Sequence, residues 1–215
     1  NTLMHKLPPK EWVYGESFHL KEGEELDREL FRNRLDRAGY RAVVQVAEHG
    51  DFAIRGSLID VFPMGARLPF RIDLFDSQID SLRSFDIDSQ RSSQRVPEIE
   101  ILPGKEFPFS PSAIREFRRN WRLEFGDRGL DSTIYRDVSE GLVPAGIEYY
   151  LPLFFDGLDT FYSYLPENTL IFAEEGCEVA CEEFSETIDD RYELLKNDPE
   201  RPILAPGKVF QDPSE

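Results

Sequence analysis

Residues 70–76 read F-R-I-D-L-F-D, and they close a longer run, R-G-S-L-I-D-V-F-P-M-G-A-R-L-P-F-R-I-D-L-F-D, that spans 55–76. In a β-strand, successive side chains point to opposite faces. Phe70, Ile72 and Leu74 then share an apolar face. Arg71, Asp73 and Phe75 share the other. Two charges suit a solvated face, and a large aromatic beside them does not. Either Phe75 caps the edge of a core while the arginines pair with local acids such as Asp73 or Asp76, or the face is kept for a partner. Arg55 reaches the same face if its run pairs with 70–75, although Gly56 next to it marks a bulge or a close approach. Arginine and aromatic side chains on an open sheet face are the usual ingredients of a protein–protein hot spot.

The flanking sequence gives this strand a setting. Apolar residues at Leu26, Leu30, Phe31, Leu35 and Ala38 recur at helical spacing, predicting a helix over 24–38 that Gly39 ends. Val43–Val46 reads as a strand, His49-Gly50-Asp51 as a turn, and 52–62 as one long extended run. Pro63–Ala66 turns the chain. After 70–75, Asp76-Ser77 forms a two-residue turn into a strand over 78–83, and 98–102 adds another. The pattern is α+β: a small, mostly antiparallel sheet with one packed helix. Pro103-Gly104 marks a boundary, and beyond it the period turns helical. Ser110-Pro111 is an N-cap followed by proline at the first helical position. Ile114, Phe117, Trp121 and Phe125 line one face up to Gly126. Further helices are predicted over 132–140, 146–155 and 176–196. Between the last two, N-T-L-I-F-A (168–173) reads as a short buried strand, contributed to an α/β domain whose other strands lie elsewhere. Asn1 in place of Met, together with that strand, leads us to expect a piece of a longer chain.

Charge bounds the chemistry. The 215 residues carry a formal net charge of −17. Residues 1–102 hold 14 basic and 18 acidic side chains, whereas 103–215 hold 11 and 24. A DNA grip needs clustered cations that replace counterions, so the second half reads as solvated acidic surface. No G-x-x-x-x-G-K-[ST] phosphate loop and no G-x-S-x-G occur, and His5, His19 and His49 stand far apart. Cys177 and Cys181 lack the further ligands of a metal site and read as two ordinary thiols of a reduced compartment. Asp60 with Asp73, or Glu182 with Glu183, read as solvated carboxylates rather than an acid–base pair. No stretch has the apolar length of a membrane span.

Several long motifs carry a resemblance. R-G-S-L-I-D-V-F-P-M-G (55–65), P-F-R-I-D-L-F-D-S-Q-I-D-S-L-R-S-F-D (69–86) and Q-R-S (90–92) resemble the repair protein UvrB and its relatives, the bacterial transcription-repair coupling factors. N-T-L-M-H-K-L-P-P (1–9), I-L-P-G-K-E-F-P (101–108), G-I-E-Y-Y-L-P-L-F-F (146–155) and Y-L-P-E-N-T-L (164–170) favour the coupling factors. The chain departs from the family's D-D-E-I or D-E-I at 76–79, where D-S-Q-I stands, which removes an acid beside Arg71. The resemblance implies a tail of the preceding segment of a UvrB-like domain over 1–16, a UvrA-binding domain inserted into it over 17–102, and the mainly helical part of that same UvrB-like domain over 103–215. It places the UvrA contacts on Arg55, Arg71 and Phe75, with Asp73 beside them. It implies no catalysis, cofactor or metal in this chain. ATP and Mg belong to a DNA translocase motor elsewhere in a bacterial, cytoplasmic parent. RNA polymerase and DNA are met through other domains, and a C-terminal regulatory domain of the parent covers the UvrA-binding face. The alternative is a DNA-contacting piece of a UvrB-like helicase or ATPase.

Overall fold

A computed structural model describes residues 2–198 and 200–213. The chain divides into two compact units, one of Glu11–Pro108 and one in which the residues up to Lys10 join those from Phe109 onward. The elements of the first are α1 (Lys10–Gly15), β1 (Phe18–Lys21), α2 (Arg28–Arg37), β2 (Arg41–Ala42), β3 (Asp51–Arg55), β4 (Leu58–Val61), β5 (Phe70–Phe75), β6 (Gln78–Phe85), β7 (Ser92–Val96) and β8 (Glu98–Ile101). Strands β2 to β7 form one six-stranded sheet in sequence order, parallel at β2–β3 and antiparallel elsewhere. Strands β1 and β8 form a separate antiparallel pair.

The predicted α+β class holds, with instructive local differences. Helix α2 begins at Arg28 and not at Glu24, because the Asp27 carboxylate caps it, accepting from the amides of Glu29 and Leu30 at 2.9 Å each. Leu30, expected in the core, is exposed, while Phe31 and Leu35 are buried. The single run expected over 52–62 is a hairpin. Gly56, at φ +62°, opens a two-residue turn that pairs Arg55 with Leu58. No strand forms at Val43–Val46, and the two-residue β2 lies just before it. Val44 there is exposed, and its β-branched character finds no apolar surface to cover.

Phe31, Leu35, Phe52, Ile59, Val61, Ile72, Leu74, Ile79 and Leu82 form the main core with Phe18 and Ile101 of the β1–β8 pair. A smaller cluster of Val46, Ala53, Phe62 and Phe85 lies on the opposite face of the sheet. Asp51 pins the β2–β3 connection. Its buried carboxylate accepts from Arg41 Nε and Nη2 at 2.9 and 2.8 Å and from the amides of Ala47 and Glu48 at 3.2 and 2.9 Å. Tyr40 ties α2 to β8 by donating its hydroxyl hydrogen to the Leu102 carbonyl at 2.6 Å.

The second unit is helical: α3 (Pro111–Phe125), α4 (Thr133–Ser139), α5 (Cys177–Leu195) and α6 (Pro206–Val209), with 3-10 turns between. Ser110 caps α3 as predicted. Phe117 and Trp121 are fully buried and meet Tyr135, Tyr150 and Phe154 in one aromatic cluster. The Trp121 indole donates to the Gly129 carbonyl at 3.0 Å. The helix predicted over 146–155 is a kinked 3-10 segment, Ile147–Leu153, because Pro152 lacks the amide that an α-helix would use. The buried strand predicted over 168–173 is neither buried nor paired. Leu170, Ile171 and Phe172 are 81%, 60% and 90% exposed, and no described strand lies alongside to accept their backbone groups. Cys177 and Cys181 are free thiols. Among the described residues no helix is long and apolar enough to cross a membrane, and no cluster of His, Cys, Asp and Glu is placed to hold a metal ion.

Candidate functional site

The β3–β4 and β5–β6 turns lie at the same end of the sheet, because β4 pairs with β5 in the register Leu58↔Asp73 and Asp60↔Arg71. The side chains there follow from alternation. Ile54, Ile59, Ile72 and Leu74 point into the main core. Arg55, Leu58, Asp60, Arg71, Asp73 and Phe75 therefore take the other face. A register shift between Asp73 and Leu74 could have broken this order. The extra residue, Asp80, sits on β6, so β5 keeps its alternation and Arg71, Asp73 and Phe75 stay together.

Phe75 is the last residue of β5, and the chain turns away at Asp76, whose φ is +60°. Nothing beyond the hairpin tip covers the ring, which is 76% exposed. Phe75 therefore does not cap the core edge.

The arginines do pair locally, but through Asp60 rather than Asp73 or Asp76. Asp60 is fully buried, which corrects its reading as a solvated carboxylate. Arg71 reaches it with a two-pronged contact, Nε at 2.7 Å and Nη2 at 2.9 Å. Arg55 Nη2 donates to the same carboxylate. Arg71 also donates to the Gln90 carbonyl and Ser92 Oγ, both at 3.2 Å, and its guanidinium lies 4.8 Å from the centre of the Phe85 ring. The hydrogen bond to Asp60 outweighs burial and pushes the Arg71 pKa further up, with Asp60 and Asp73 both attracting the cation. The two arginines end in different states. The Arg71 side chain is 16% exposed, whereas that of Arg55 is 46% exposed. A guanidinium carries five N–H donors. Arg55 commits one of them to Asp60 and keeps the rest of its fork toward solvent, where a carboxylate or carbonyl can meet it.

Four predicted positions thus share one surface: Phe75 as an exposed ring, Arg55 as a half-exposed cation, Arg71 as a mostly enclosed one, and Asp73 half-buried beside it. Sequence reasoning missed two contributors. Asp60 is the shared anion, and Leu58 is the apolar neighbour between Arg55 and Asp73. The signal for both was present, since L-I-D-V alternates and Ile59 and Val61 are core.

Residues 18–107 match the model of the family described as UvrB interaction domain. This segment is similar to that family over its whole length. The chain as a whole is 46% identical over 211 residues to the transcription-repair-coupling factor of Escherichia coli (strain K12), a match covering 98% of this chain and 18% of that protein. It is 43% identical over 216 residues to the namesake from Haemophilus influenzae, covering 100% of this chain and 19% of the relative. The Bacillus subtilis (strain 168) factor is 28% identical over 226 residues, with 98% and 19% covered. The chain thus spans less than a fifth of the length of these relatives. The resemblance read from the motifs at 55–65 and 69–86 holds, and Arg55, Asp60, Arg71, Asp73 and Phe75 all fall inside the matched segment.

Proposed function

We propose that this chain is the repair-recruiting part of a transcription-repair coupling factor, and that its UvrB interaction domain binds UvrA through Phe75, Arg55 and Arg71, with Asp73 at their side. The observation that carries the reading is the exposed Phe75 ring on the same sheet face and at the same sheet end as the uncommitted N–H donors of Arg55. Aromatic side chains, phenylalanine included, and arginine are both enriched at protein interfaces. Hydrogen bonds to Asp60 fix both guanidiniums in place, so little rotamer freedom remains to be lost on binding. Through the rest of the parent, with its ATP- and Mg-dependent motor, this recruitment would link a stalled RNA polymerase to nucleotide-excision repair in the bacterial cytoplasm. At rest the parent's C-terminal domain would cover the same face, as an open apolar and cationic patch requires.

Titration calorimetry of the chain against purified UvrA tests the reading. The wild-type chain should bind. Arg55→Glu should weaken binding by about thirtyfold or more while the fold persists. Absence of binding by the wild-type chain, or equal binding by the variant, overturns it. Binding of duplex DNA at low salt in place of UvrA would favour the helicase-like alternative.

A further inference from the structure

Helix α3 carries arginines at 115, 118, 119 and 122, the spacing that puts four side chains on one face over two turns, roughly 10 Å of helix. With Leu123 they line one shallow cleft of about 470 Å³. The stripe runs against its surroundings, because residues 103–215 hold only 11 basic side chains against 24 acidic ones. Like charges at i+3 and i+4 oppose helix formation, so the stripe works against the element that bears it. Local neutralisation is slight. Arg119 pairs with Glu116, and Arg118 Nε donates to the Tyr135 hydroxyl at 3.4 Å. Among the described residues Arg115 makes no ion pair. Leu123 adds an apolar side chain that is 79% exposed.

Two kinds of polyanion could meet such a cleft, a nucleic-acid backbone or an acidic protein segment. A net charge of −17 repels a long polyanion at every distance at which screening is incomplete. A short acidic helix meets only the local cations. Leu123 decides in the same direction, since an exposed aliphatic inside the cleft is covered by an apolar side chain and not by phosphates. Arginine with an aliphatic neighbour is interface chemistry. Helical partners are read at the same i, i+3, i+4, i+7 spacing.

We propose that this face of α3 docks an acidic amphipathic helix from a protein partner, whose carboxylates at matching spacing meet Arg115, Arg118, Arg119 and Arg122 while an aliphatic side chain covers Leu123. The surface belongs to the helical unit and does not depend on the UvrA reading.

The test is fluorescence anisotropy on the intact chain with three labelled probes. One is an alanine-based helical peptide with glutamates at i, i+3, i+4 and i+7 and a leucine beside them. The second is its scrambled version, and the third is a short duplex DNA. The patterned peptide should bind at least about tenfold more tightly than the scrambled one. Arg115→Ala with Arg119→Ala should erase that preference, and Leu123→Ala should reduce it. Arg115 and Arg119 are exposed and their removal relieves repulsion, so thermal unfolding should not fall. The lysine pair, Arg115→Lys with Arg119→Lys, keeps the charge and should retain part of the preference. Equal binding of the two peptides overturns the proposal. Tighter binding of the duplex through the same arginines would reassign the cleft to nucleic acid. Concentration-dependent self-association lost in the same variants would reassign it to a second copy.

Discussion

Replacing Phe75 with alanine separates an interface anchor from a core residue. A phenylalanine side chain offers roughly 150–250 Å² of surface. With 76% of Phe75 exposed, the fold covers only about a quarter of it, roughly 50 Å². At about 25 cal/mol per Å², truncation costs about 1 kcal/mol of folding stability. The remaining surface, roughly 150 Å², is worth up to about 4 kcal/mol if a partner covers it. Ordering at the interface offsets part of that, which leaves an expected loss of about 2–3 kcal/mol, some 30- to 150-fold in Kd. Phe52, buried on β3, is the control, and Phe52→Ala should cost roughly 3–5 kcal/mol of stability. The assay is equilibrium urea unfolding of both variants alongside calorimetry against UvrA. If Phe75→Ala unfolds as early as Phe52→Ala yet binds like wild type whenever folded, the ring is structural and the site reading fails.

Three further outcomes are expected. Arg71→Ala should lose roughly 3–5 kcal/mol of stability, because it strips the buried Asp60 carboxylate of its two-pronged partner. Arg55→Ala, on a half-exposed side chain, should lose about 1 kcal/mol or less, and equal urea midpoints for the two would refute the central role of Asp60. Burial pushes the Tyr40 phenol up to about 12, above an unfolded value of about 10. Its contribution is therefore present below about pH 10 and drains away as pH rises toward 12, so thermal unfolding across that range should show an alkaline slope that Tyr40→Phe flattens. Burial alone would raise the Asp51 carboxyl, but the Glu48 and Ala47 amides and Arg41 outweigh it and hold the group below the usual carboxylate range. Its stabilisation should thus be present above about pH 4 and fade on further acidification, and Asp51→Asn should be less stable at neutral pH with a shallower acid limb in the same unfolding scan.

The sequence was most legible where a single period governs. Residues 70–75 alternate cleanly because the irregularity in their hairpin falls on Asp80 of the neighbouring strand. The Ser110 cap and the Phe117–Trp121 face follow from local chemistry that the fold does not override. Legibility failed where a long-range partner decides. Asp60 looked like one more surface acid until the register set it opposite Arg71. Gly56 reads as a bulge or a close approach, yet the same left-handed freedom serves a hairpin turn equally well, and only the pairing of Arg55 with Leu58 distinguishes them. Val43–Val46 and 168–173 have strand composition, but β-propensity has effect only where a ladder and an apolar surface are available. The pairing of Arg55 and Arg71 through one carboxylate could not be read from either arginine alone.

The exposed L-I-F of residues 170–172 has a practical consequence for handling the chain. Three consecutive exposed apolar residues whose backbone pairs with no described strand form a template that another copy can zip onto. Glu174 and Glu175 follow directly and act as gatekeepers, whose like charge keeps a second copy away. High salt weakens that guard by screening. Turbidity at high salt would therefore report sticking at this segment before any unfolding, and a Phe172→Lys chain would stay clear under conditions where the wild type clouds.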